Sequence, residues 1–246
     1  MKTSALIVPV IAGLLLDVGT ERDTPPAMSA STMTVMSAAA AQAQVSFPAR
    51  DGWVIHALLH GDGDRGVVLA HGGRFNKESW QQQAMALVNA GFRVLAIDLR
   101  GYGQSQTGPP GASPDSAHLD VLAAVSFLRR AGVRTVAVVG ASMGADAAAG
   151  AAVASGPGEI DRLVLLAGSA SEPAARLKGR KLFIVSRGDL GPSDIPRLPA
   201  IRKQYEAADG PKELLILEGN AHAQFLFASD QGEPLLQAIL RFLLAR

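Results

Sequence analysis

From Val45 onward the chain alternates short apolar runs closed by glycine with stretches whose apolar residues recur at helical spacing. Residues 54–61 (VIHALLHG) alternate apolar and polar positions before the turn sequence GDGDRG, and residues 66–73 (GVVLAHGG) form a continuous, β-branched run; the pair predicts a hairpin. SWQQQAMALVNAG (79–91) has helical spacing and a glycine stop, and FRVLAIDLRG (92–101) predicts a further strand. After the loop GYGQSQTGPPGAS, residues 113–132 predict a helix with a serine cap, proline and acids in the first turn, arginines in the last and a closing glycine. The alternation continues with strand TVAVVGAS, a helix from Met143 to about Ala154, strand RLVLLAG, a helix around Ala174 to Lys178 and strand KLFIVSRGD. Helix IRKQYEAA, strand KELLILEG and a last helix, GEPLLQAILRFLLA, complete the pattern.

Strands that are apolar throughout and alternate with helices require a parallel sheet covered on both faces. The expected fold is therefore a three-layer α/β/α sandwich spanning residues 45–246. Residues 1–44 are set apart from it. Lys2 and the apolar stretch Ala5 to Leu16 resemble the start of a secretory signal, too short to span a bilayer, so no stable membrane insertion is expected. The small-residue pattern at Ala41 and Ala43 lies far downstream of it, and Met28 or Met33 offers a later start. Two readings stay open: an exported, periplasmic protein, or a shorter cytoplasmic one.

Composition narrows the partners. With 246 residues, 48% hydrophobic content and a net charge of +1, the chain is an ordinary globular domain. Its Lys and Arg residues are scattered, which argues against nucleic acid and for a small-molecule substrate. The chain has no cysteine, so disulfides, thiolate metal sites and a cysteine nucleophile are excluded.

In open parallel sheets the ligand crevice lies beyond the carboxyl ends of the strands. The residues there are His71 to Arg74, Arg100 to Tyr102, Ser142 and Met143, Gly168 and Ser169, Gly188 and Asp189, and Asn220 to His222. Gly140-Ala141-Ser142-Met143-Gly144 fits G-x-S-x-G, which presents a serine on a tight turn from strand to helix. A serine hydroxyl needs a base held in the right tautomer by an acceptor. His222 follows the last strand and suits the role. His56 and His60 belong to a strand, His118 starts a helix, and His71 shapes a turn. For the acid, Asp189 ends a strand and Asp194 competes with it. Asp98 stands before the serine and is expected to fix the LRGYG loop by hydrogen bonds, and Asp146 is expected to answer the helix dipole. An oxyanion cradle needs two amides: Met143, just after the serine, and Gly73, with Arg74 the alternative.

These residues carry a resemblance. HGG at 71–73, DLRGYGQS at 98–105, GASMG at 140–144, Asp189 and GNAH at 219–222 are similar to the motifs of the α/β-hydrolase family, in its chain order Ser, Asp, His. The resemblance spans about residues 45–246 and implies eight strands, mostly parallel, with an antiparallel start. It implies a serine hydrolase acting on a small-molecule carboxylic ester through an acyl-enzyme, with no metal or organic cofactor. Acyl transfer, thioester or peptide hydrolysis would use the same triad, and a non-catalytic binding protein could keep the fold. Many relatives insert a helical cap where this chain has only residues 169–180, so a lidless site is expected, as in the small dienelactone-hydrolase-like members. Those members use cysteine, which this chain lacks. SRGDLGPSDIP also departs from the family pattern and leaves both Asp189 and Asp194 open as the acid. Arg74 and Tyr102 are expected near the substrate. Met143, Phe75 and Phe225 are candidate walls of an acyl pocket, with a core position the alternative for Phe225.

Overall fold

The computed structural model describes residues 42–168 and 172–245. Eight strands form one sheet: β1 (Gln42–Pro48), β2 (Val54–His60), β3 (Arg65–Ala70), β4 (Phe92–Ile97), β5 (Thr135–Ala141), β6 (Arg162–Leu166), β7 (Arg180–Ser186) and β8 (Lys212–Leu217). Their order is β1-β2-β4-β3-β5-β6-β7-β8, antiparallel at β1/β2 and β2/β4 and parallel elsewhere. Helices α1 (Gln81–Asn89) and α5 (Gly232–Leu244) cover one face, and α2 (His118–Arg130), α3 (Met143–Ala154) and α4 (Arg197–Ala207) the other. The sheet feeds both layers by its two-residue period. In β3, Val68 and Ala70 pack with the α2/α3 layer, while Val67 and Leu69 pack with the α1/α5 layer. The three-layer sandwich expected from the sequence is the fold observed.

Three local expectations are corrected. β2 and β3 do not form a hairpin, because β4 lies between them, parallel to β3 from Arg65↔Phe92 to Ala70↔Ile97 and antiparallel to β2. A strand buried along almost its whole length needs a neighbour on each edge, and β3 finds its two in β4 and β5. The hairpin at the start of the described residues is β1/β2, paired from Gln42↔His60 to Pro48↔Val54. β1 is mostly exposed, as an outer strand can be, which is why its polar sequence QAQVSFP gave no strand signal.

α2 begins at His118 rather than near Ser113, with no side-chain cap. The Ser113 carbonyl accepts a 2.7 Å hydrogen bond from Arg100 Nη1, which draws residues 113–117 into the loop. Asp120, the first-turn acid, instead receives the Arg100 guanidinium at 2.6 Å. The helix expected around Ala174 is only a 3-10 turn, Ala174–Arg176. The signal-like segment and Ser169 lie outside the described residues. Among the described residues no helix is long and apolar enough to cross a membrane.

His60 closes β2 at 1% exposure, and its Nδ1 has no partner among the described residues. Burial pushes its imidazole below the ordinary value of 6.5. The unfolded chain therefore takes up a proton at this residue as pH falls through 6.5, and the folded chain takes it up only at lower pH. Its contribution is harmless above that value and destabilising on acidification. His60→Leu should flatten the fall in urea midpoint between about pH 7.5 and about pH 5.5. A variant with the wild-type slope would refute this.

Candidate active site

The nucleophile candidate stands where β5 turns into α3. Ser142 has φ 50° and ψ −116°, a conformation that costs an L-residue about 1–3 kcal/mol and persists only where the surroundings impose it. Its N–H donates to Leu166 O at 2.8 Å, and its carbonyl accepts from Ala145 N at 2.8 Å. The flanking glycines make the turn possible. A Cβ on Gly140 would lie 2.2 Å from Gly144 O, and one on Gly144 would lie 2.3 Å from Ala70 O. The small residues of α3 bury nearly all round, so the helix start presses directly on the ends of β3 and β5.

Two other strand ends bring in His222 and Asp189. The loops after β7 and β8 are laced together: Arg187 N donates to Leu217 O at 2.8 Å, Gly188 N to Gly219 O at 2.8 Å, and Ser186 Oγ to Ala221 O at 2.5 Å. That lacing sets His222 so that Nε2 is 2.9 Å from Ser142 Oγ. Its Nδ1 lies 3.0 and 2.9 Å from the two Asp189 carboxylate oxygens. Asp189 is 1% exposed, whereas Asp194 sits on an exposed 3-10 turn with no bond to His222. Arg197, which the sequence reading did not single out, places Nε 3.7 Å from Asp189 Oδ1 and donates its own N–H to Asp189 O at 3.0 Å. A cation behind the acid is a long-range contact that no local motif announces.

The turn after β3 supplies the facing wall. His71 is buried, accepts from Leu99 N at Nε2 (3.1 Å), and so carries its proton on Nδ1, which donates to Gly72 O at 2.9 Å. Burial pushes its imidazole below the ordinary value, against the pull of the Gly72 carbonyl and Asp98, and keeps it neutral. His71 thus shapes the turn, as expected. The Gly73 and Met143 amides have no partner among the described residues, and a Cβ on Gly73 would sit 3.5 Å from Tyr102 Oη and 4.0 Å from Met143 Sδ. Asp98 accepts from Gln104 N at 2.9 Å and from Lys77 Nζ at 2.6 Å, so it does brace the loop that carries Tyr102.

Ser142 and His222 open into a cavity of about 350 Å³ whose apolar wall is Phe75, Leu190 and Phe225, with Arg74 also lining it. The Phe75 and Phe225 rings meet at 5.0 Å, and Leu190 and Phe225 are 49% and 47% exposed. Phe225 is a pocket wall and not a core residue. Tyr102 and Met143 line a different cavity of about 490 Å³, together with Asp146, so the Met143 side chain is not a wall of the first cavity as expected. Asp146 keeps one side open to solvent while the enclosing wall pushes its carboxyl up to about 6, with Arg197 pulling the other way. Among the described residues no group of three or more His, Asp or Glu is placed to hold a metal ion.

An open, mostly parallel eight-stranded sheet with these motifs at its carboxyl edge defines the class, which is the α/β-hydrolase fold. The alpha/beta hydrolase fold profile matches residues 66–183. A non-heme haloperoxidase of Rhodococcus erythropolis is 34% identical over 118 residues, 48% of this chain and 42% of that protein. A putative non-heme chloroperoxidase of Synechocystis is 35% identical over 78 residues, 32% of this chain and 27% of the relative. The matches therefore span less than half the length of these curated relatives. In three dimensions an esterase of Pyrococcus furiosus aligns with a TM-score of 0.68 at 18% identity, covering 83% of this chain and 90% of the esterase. At that identity the likeness speaks for the fold.

The glycine contacts are testable. Gly144→Ala should cost about 3 kcal/mol in urea denaturation, because its Cβ meets rigid backbone. Gly111→Ala, at φ 89° with nothing within 4 Å, should cost only about 1 kcal/mol for its left-handed conformation. Equal losses would show that close approach of α3 to β3 is not what selects glycine at 144.

Proposed function

We propose that this protein is a serine hydrolase that cleaves small carboxylic esters through Ser142, His222 and Asp189. The carrying observation is the unbroken line from Ser142 Oγ to His222 Nε2 at 2.9 Å and from His222 Nδ1 to Asp189 at 2.9 Å. His222 Nε2 takes the Ser142 proton as Oγ attacks the acyl carbon, and the same imidazole returns it to the departing alkoxide. Asp189 fixes the Nδ1–H tautomer and stabilises the imidazolium. The Gly73 and Met143 amides receive the oxyanion, for which free N–H groups are required. Water, activated by His222, then releases the acid from the acyl-enzyme.

The apolar wall of Phe75, Leu190 and Phe225 suits a hydrocarbon acyl or alcohol group, and Arg74, which has no ion pair among the described residues, suits an acidic or polar substituent. The hydrogen-bonded line of Ser142, His222 and Asp189 supports a catalytic reading over a binding protein that merely keeps the fold. Purified protein should hydrolyse p-nitrophenyl acetate and butyrate, and Ser142→Ala should lose roughly a thousand-fold or more in kcat. A fluorophosphonate should label Ser142. Absence of turnover, equal turnover by the alanine variant, or labelling elsewhere would sink the reading. Asp189→Asn should lose roughly a thousand-fold or more in kcat while Asp194→Asn stays within about two-fold. The reverse order would reassign the acid.

A further inference from the structure

Two residues beyond His222, Gln224 is buried at 7% exposure within the 3-10 turn Ala223–Ala228. Its Oε1 accepts from Gly72 N at 2.7 Å, and its Nε2 donates to Ser79 Oγ at 2.8 Å. Ser79 Oγ in turn donates to Asn76 O at 2.5 Å. One carboxamide therefore joins the loop that carries the base to the turn that carries an oxyanion amide. On the other side of the same residue, the Gly72 carbonyl accepts from His71 Nδ1 at 2.9 Å and from Phe75 N at 3.0 Å. The backbone of Gly72 is thus held at both its N–H and its C=O, and the next N–H is that of Gly73.

Glycine gives the backbone no side chain by which packing could fix it, so hydrogen bonds must set the direction of that next amide. The site needs an acceptor for Gly72 N–H and a donor for Ser79 Oγ on one neutral group of this length, and glutamine supplies both. An amide direction matters most where charge develops, which is the tetrahedral state and not the bound ester.

Resting on the esterase reading above, we propose that Gln224 is a positioning residue that aims the Gly73 amide at the oxyanion and keeps it in register with His222. It touches no reacting atom and acts through Gly72.

The test compares wild type, Gln224→Met and Ser79→Ala in kcat and KM for p-nitrophenyl acetate, in affinity for phenylboronic acid as a tetrahedral adduct, and in urea midpoint. Gln224→Met should lower kcat and boronate affinity together by roughly 10- to 100-fold with KM within about two-fold. Ser79→Ala leaves the Gly72 bond in place but frees the far end of the carboxamide. It should show the same split at roughly 3- to 10-fold. A folded Gln224→Met with wild-type kcat, or one altered only in KM, would overturn the proposal while leaving the esterase reading intact. Should Gln224→Met fail to fold, an unchanged kcat and boronate affinity in Ser79→Ala overturns it instead. Absence of turnover and of fluorophosphonate labelling in the wild type would remove the esterase reading and this proposal with it.

Discussion

The close approach of α3 to the ends of β3 and β5 is the constraint from which the site follows. Gly144 lies so near Ala70 and His71 that any side chain there would meet two backbone carbonyls. This contact drives the strand-to-helix turn into a radius that only a left-handed residue can close, and Ser142 is the residue that takes the strain. The same contact brings Gly72 alongside, with a Cβ built on it falling 3.6 Å from Ser142 Cβ. The placing of Ser142 and of the turn after β3 are therefore two consequences of one packing event. The burial of α3 on nearly all sides, permitted by its alanines, holds that event in place.

What the sequence made legible follows from which interactions are local. Apolar runs closed by glycine located β3 to β8, because a buried parallel strand must be apolar along its length. The small residues around Ser142 located the turn, because their absence of bulk is itself the mechanism. Strand order was not local, and VIHALLHG and GVVLAHGG gave a hairpin that β4 in fact separates. The start of α2 was misplaced for a related reason: Arg100, thirteen residues away, claims the Ser113 carbonyl that in a cap would accept the first intrahelical bond. Between Asp189 and Asp194 no pattern could choose, since the choice depends on which one the loops after β7 and β8 bury beneath His222. Gln224 and Arg197 were invisible for the same reason, their partners being Gly72 and Asp189 across the edge of the sheet.

Buried charge braces the loops at the edge of the sheet. Arg100 is buried between Asp120 and Asp51 and stacks over Trp53 at 5.0 Å, while Lys77 is buried against Asp98. Burying such ions carries a desolvation cost of several kcal/mol each, so pairs of this kind add little net stability compared with apolar packing. What they add is direction. Asp98 takes hydrogen bonds from Lys77 N, Lys77 Nζ and Gln104 N, and Gly103 is glycine because a Cβ there would lie 2.2 Å from the Asp98 carboxyl. The loop that carries Tyr102 is thereby pinned beside Gly73.

The partition between the two cavities gives this bracing its chemical meaning. Ser142 and His222 line one cavity with Phe75, Leu190 and Phe225, whereas Tyr102 and Met143 line the other with Asp146 and His118. Fixing Tyr102 fixes a wall of the second cavity and, through its place beside Gly73, the edge of the first. The aspartate–lysine pair that fixes the loop therefore sets the shape of both cavities. On the other side Leu190 and Phe225 remain half exposed, so solvent reaches the Ser142 cavity directly. Under the ester reading proposed above, water at such a cavity needs no conformational step to become the acceptor, which favours hydrolysis over transfer to a second substrate that would have to displace it.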